Sequence, residues 1–124
     1  MRKLGWFFSL VFVVYACDDI IEVEDISDRT VTLVAPTNDA ILSSGTIHFD
    51  WEPIEDAESY RIQIATPDFN APLQIVEDST LSDSTATNTT FSINLDAGDY
   101  QWRVRAQNSD YQTNYTTQSF TVED

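Results

Sequence analysis

The chain has 124 residues, room for one domain, and 42% of them are apolar, which excludes a disordered tail. Four arginines and 21 acidic residues follow residue 17, a net charge of −17 for that part, so nucleic acid and anionic lipid are disfavoured as partners. The single cysteine, Cys17, leaves no intrachain disulfide to form.

The chain opens with Met1-Arg2-Lys3, a short basic stretch, and continues with apolar Leu4 to Tyr15. That run is too short to span a bilayer comfortably, for which about 20 apolar residues are needed. Val14-Tyr15-Ala16-Cys17 resembles the lipobox of bacterial lipoproteins, with an aliphatic residue at −3, a small one at −1 and the cysteine; Tyr15 is bulkier than usual at −2. The resemblance implies a signal peptide over 1–16, cleavage before Cys17, and diacylglycerol (with palmitate-type acyl chains) on its thiol. Two or three acyl chains give a stable membrane anchor where one is marginal. Residues 17–28, acidic through Asp18, Asp19, Glu22, Glu24 and Asp25, are expected to be an extended tether. An acidic cluster after such a cysteine resembles the surface-export signal of glycan-foraging Gram-negative bacteria, so the expected location is the outer face of the outer membrane; inner-membrane retention is the alternative.

From residue 29 to 124 short strands alternate with turn signals, the pattern of an all-β sandwich. Thr30 to Val34 is β-branched and stops at Pro36. Ile47, Phe49 and Trp51 alternate with His48 and Asp50. Tyr60, Ile62 and Ile64 face inward against Arg61 and Gln63. Pro72 to Val76 reads as an edge strand and Glu77 to Asn88, rich in Ser and Thr, as a loop. Phe91, Ile93 and Leu95 resume the alternation. Tyr100, Trp102, Val104 and Ala106 point inward, with Gln101, Arg103 and Arg105 outward. Phe120 and Val122 mark the last of seven expected strands.

Leu95-Asp96-Ala97-Gly98-Asp99-Tyr100 resembles the tyrosine corner of β-sandwiches. Together with Trp102-Arg103-Val104-Arg105-Ala106-Gln107-Asn108 it is similar to strand F of fibronectin type III domains. Trp51 resembles the core Trp of strand B, Tyr60 the aromatic of strand C, and Pro36 the proline after strand A. The resemblance covers about residues 30–123 and implies a seven-stranded immunoglobulin-like sandwich; the missing Cys pair argues against an immunoglobulin domain proper.

No catalytic residues, cofactor or metal are assigned. His48, the only histidine, lies on a polar strand face without partners for a triad or zinc site. Glu52, Glu55, Asp56 and Glu58 crowd the connection between strands B and C, but no D-x-D-x-D-G loop is present, so a solvated charged loop is expected. The F–G loop carries the candidate binding residues Asn108, Tyr111, Asn114 and Tyr115, because Tyr and Asn contact partners at low entropic cost. Phe69 is expected to plug a core edge. Ser79 and Ser84, in Asp78-Ser79-Thr80 and Asp83-Ser84-Thr85, resemble bacterial O-glycosylation acceptors; Asn88 and Asn114 head chance N-glycosylation sequons. The expected function is non-enzymatic: a surface lipoprotein that binds another envelope protein or a glycan, as an accessory to glycan capture or uptake, with a passive spacer as the alternative.

Overall fold

The alternating segments become strands whose inward residues meet between two sheets. The computed structural model describes residues 22–82 and 88–124. Their strands are β1 (Leu33–Ala35), β2 (Ala40–Ser43), β3 (Gly45–Trp51), β4 (Ser59–Thr66), β5 (Gln74–Ser82), β6 (Thr90–Leu95), β7 (Gly98–Gln107) and β8 (Thr116–Glu123). They form a three-stranded sheet, β1-β3-β6, and a five-stranded sheet, β2-β8-β7-β4-β5. Only β2 pairs parallel, with β8; the other pairings are antiparallel. The fold is a fibronectin type III-like β-sandwich.

Aromatic rings fill the space between the sheets. Phe49 meets Trp102 edge-on with centroids 4.9 Å apart and Phe120 at 5.7 Å. Trp51 stands edge-on to Tyr60 at 5.8 Å, and Tyr100 stacks on Phe120 at 5.4 Å. Such pairs add about 0.5–1.5 kcal/mol each beyond the area they bury. The expected tyrosine corner forms: the Tyr100 hydroxyl donates to the Asp96 carbonyl at 2.8 Å. Trp102 Nε1 donates to the Pro36 carbonyl at 3.2 Å, tying the two sheets together.

Two segments differ from expectation. The seven expected strands become eight among the described residues, because Ala40–Ser43 joins the edge beside β8. Ala-Ile-Leu has no polar alternation to announce a strand, and Ile41 stays exposed while Leu42 packs against the core. The expected loop from Glu77 is strand as far as Ser82, with Glu77 opposite Ile64 and Leu81 opposite Tyr60. Five strands face three, so this outermost strand needs little apolar side chain and its Ser and Thr residues hide the pattern.

The core also begins before residue 29. Ile26 is fully buried within it, and the Arg29 amide donates to the Ile26 carbonyl at 2.9 Å. Residues from Ile26 onward are therefore part of the domain, although they lie inside the expected 17–28 tether.

Candidate functional site

Strand β7 is the middle of the five-stranded sheet, and its alternation sends successive side chains to opposite faces. Trp102, Val104 and Ala106 are buried; Gln101, Arg103 and Arg105 face outward. Pairing sets Arg103 opposite Gln63 and Arg105 opposite Arg61 on β4, with Thr117 of β8 on the other side of Arg103. Three of the four arginines that follow residue 17 thus share one sheet face.

Like charges directly opposite on neighbouring strands repel. Arg61 is relieved by Asp78 of β5, which takes its Nε and Nη2 in a fork of two 2.8 Å bonds. That fork holds the Asp78 carboxyl below the usual carboxylate range and raises the guanidinium's own pKa. Gln63 extends the network: its amide nitrogen donates to Asp78 at 3.0 Å, and its oxygen accepts Arg103 Nε at 2.8 Å.

Arg103 and Arg105 are held differently, by rings. The Arg103 guanidinium lies 4.0 Å from the Phe69 centroid and 4.3 Å from that of Tyr115; Arg105 lies 4.9 Å from Tyr115. Phe69 reaches this face because Asp68 folds the β4–β5 connection, accepting the amides of Asn70 and Ala71 at 3.0 and 2.9 Å. The Phe69 amide then donates to Gln101 Oε1 at 3.0 Å. Phe69 is thus half-buried against Arg103 on the outer face, where a plug at the core edge was expected. Among the described residues no carboxylate pairs with Arg103 or Arg105; their Nε atoms are taken by the neutral amides of Gln63 and Gln107.

The four candidate residues of the F–G loop do not form one surface. Asn108 is structural: its Oδ1 accepts the amides of Asp110 and Tyr111, and its Nδ2 donates to the carbonyls of Glu24 at 2.9 Å and Asp56 at 3.3 Å. Tyr115 belongs to the arginine ladder of the sheet face. Asn114 is exposed, and its carbonyl accepts the Thr113 hydroxyl. Tyr111 is 37% exposed, beside a hollow of about 440 Å³ lined by its own loop and by Gln107 at the end of β7.

Arg29 joins the same end of the sandwich to the chain's start. It donates to the Glu55 carbonyl at 2.6 Å and lies 3.6 and 3.7 Å from the carboxylates of Glu24 and Asp56. His48 Nδ1 lies 2.8 Å from the Ser92 hydroxyl on the exposed face of the smaller sheet. Ser79 sits within β5, half-buried, its hydroxyl donating to the Glu77 carboxylate. Cys17 and Ser84 lie outside the described residues.

Sequence reasoning placed the three arginines outward but did not join them to Phe69, Tyr115, Gln63 and Asp78. The available signal was scarcity: so few cations, three of them at outward positions of adjacent strands.

No protein-family model and no curated protein matches the chain. Solved structures do match. The crystal structure of FN3tt is 15% identical with a TM-score of 0.50, covering 75% of this chain and 95% of that one. The crystal structure of the FN1–FN3 domains of chicken CNTN1 is 15% identical with a TM-score of 0.51, covering 77% of this chain and 34% of that one. At such identities the likeness is one of fold, and it agrees with the strand order: the chain is built as a fibronectin type III-like sandwich.

Proposed function

We propose that the chain is a non-enzymatic interaction module, lipid-anchored through Cys17 on the outer face of the outer membrane, that engages another envelope protein with the outer face of its five-stranded sheet. The observation that carries this reading is the attachment of the chain's start to the F–G and B–C end of the sandwich, through Asn108 to the Glu24 carbonyl and Arg29 to the Glu55 carbonyl. Glu24 lies seven residue steps from Cys17, a reach of at most about 25 Å. An anchor at Cys17 keeps Tyr111, Glu55, Asp56 and Asp110 close to the membrane. Their acidity holds that end off anionic headgroups without letting it reach outward. The broad sheet face stands to the side, clear of the bilayer.

The composition of that face favours a protein over a glycan. Sugars stack on open rings, whereas the Arg103 guanidinium already lies over both Phe69 and Tyr115. The anchor is tested by feeding the source cells alkyne-tagged palmitate and shaving intact cells with protease. The wild-type chain should take up label and be cleaved from outside; Cys17→Ser should lose both. Label persisting on Cys17→Ser, or full protection of the labelled wild type, would overturn the anchored surface reading.

A further inference from the structure

We infer that Arg103 and Arg105 form a docking site for an extended acidic segment of a partner protein, which lays carboxylates of residues i and i+2 on the two guanidiniums. This rests on the interaction-module reading and names the chemistry of its partner.

Three observations carry it. The first is charge. In a chain with 21 acidic residues, neither arginine has a carboxylate partner among the described residues, whereas Arg61 on the same face is fully engaged by Asp78. Asp78 is near enough to act on Arg103, but it is already bonded to Arg61; with one bonded carboxylate among three guanidiniums, the cations set the local potential of this face.

The second is order. Stacking on Phe69 and Tyr115, and the Nε bonds to Gln63 and Gln107, hold the side chains before a ligand arrives. Among the described residues both guanidiniums hydrogen-bond through Nε, which leaves the Nη atoms for a forked carboxylate contact. The ordering cost that weakens most exposed ion pairs is thereby already met.

The third is spacing. Residues two apart on a strand lie roughly 6.8 Å apart on one face, and an extended peptide repeats that interval between its own i and i+2 side chains. Arg103 and Arg105 stand at that interval on β7. The β4–β5 network beside them offers a built-in gain test, because removing the Asp78 charge would free Arg61 as a third cation across from Arg105.

The test uses the full chain in non-ionic detergent and a fluorescein-labelled ten-residue peptide of alternating Asp and Ser, read by fluorescence anisotropy. Binding should saturate in low salt and weaken steeply as NaCl rises. The Asn-for-Asp peptide should not bind. Arg103→Gln and Arg105→Gln should each weaken binding about tenfold. Arg105→Lys should weaken it less, since charge remains and the fork is lost. Arg29→Gln, off this face, should leave it unchanged. Asp78→Asn should tighten it about threefold, an outcome that loss of folding cannot mimic. No saturable binding, equal binding of the Asn peptide, or a loss on Arg29→Gln matching that on Arg103→Gln would overturn the inference. Tighter binding of polygalacturonate at equal carboxylate would reassign the site to an acidic glycan and overturn it as stated. If the face contacts a protein in cells while the Asp peptide fails to bind, this inference falls and the interaction-module reading stands.

Discussion

Two tyrosine hydroxyls make hydrogen bonds of equal length to backbone, and their removal should not cost the same. Tyr100 donates to the carbonyl of Asp96, an exposed residue, at 2.8 Å. After Tyr100→Phe, water can replace the lost donor, so the cost is that of an ordinary hydrogen bond, about 1 kcal/mol. Tyr60 instead accepts the amide of half-buried Ile54 at 2.8 Å. Tyr60→Phe leaves that N–H without its acceptor away from water, and the desolvation penalty raises the cost to about 2 kcal/mol. For a domain of this size those values correspond to falls in Tm of roughly 5 and 10 °C. Guanidinium denaturation should show the same order in midpoint with an unchanged slope, since neither change alters the surface exposed on unfolding. Equal losses, or a larger one for Tyr100→Phe, would refute the argument that burial of the orphaned partner decides the cost. Alkaline pH gives a second reading. Burial raises the pKa of both hydroxyls, and nearby Asp96 adds to the rise at Tyr100. The folded state then keeps protons the unfolded chain loses, so stability present below about pH 10 falls as pH rises further. Each Phe variant should make that alkaline decline shallower.

Asp78→Asn should lower stability at neutral pH by only about 0.5 kcal/mol, because the Arg61 pair is over a third exposed and solvent screens it. Since the Asp78 pKa is lowered by folding, that contribution is present above about pH 4 and disappears as pH falls through the depressed value; acid titration of the difference between wild type and variant checks it. Gly45→Ala should cost about 1–2 kcal/mol in thermal melts, through backbone strain alone: its φ is +125° and nothing lies within 4 Å of an added Cβ.

Period-two alternation made β3, β4, β6 and β7 legible, because each strand buries one face against an aromatic core and leaves the other in water. The tyrosine corner was legible as a local motif, since Tyr100 and Asp96 are four residues apart. β2 and most of β5 were not. Both are edge strands where one-sided burial is weak, and their residues carry no alternation for burial to reveal. The site was half legible. Periodicity alone turned Arg61, Arg103 and Arg105 outward, but their grouping depends on β4 lying beside β7 and on Asp68 turning Phe69 back over the sheet. Neither the pairing nor the turn is written in any single segment. The bonding of Asn108 was not legible for the same reason: it depends on Glu24, 84 residues away.

The central claim is that the outer sheet face, and not the F–G loop, meets the partner. Photo-crosslinking in living source cells tests it most directly, with a benzophenone amino acid placed singly at Gln101, Thr117 or Thr80 on the sheet, or at Tyr111 in the loop. The account predicts a discrete crosslinked protein band from the sheet positions and none from Tyr111. A band from Tyr111 alone, or none from any position, would contradict it.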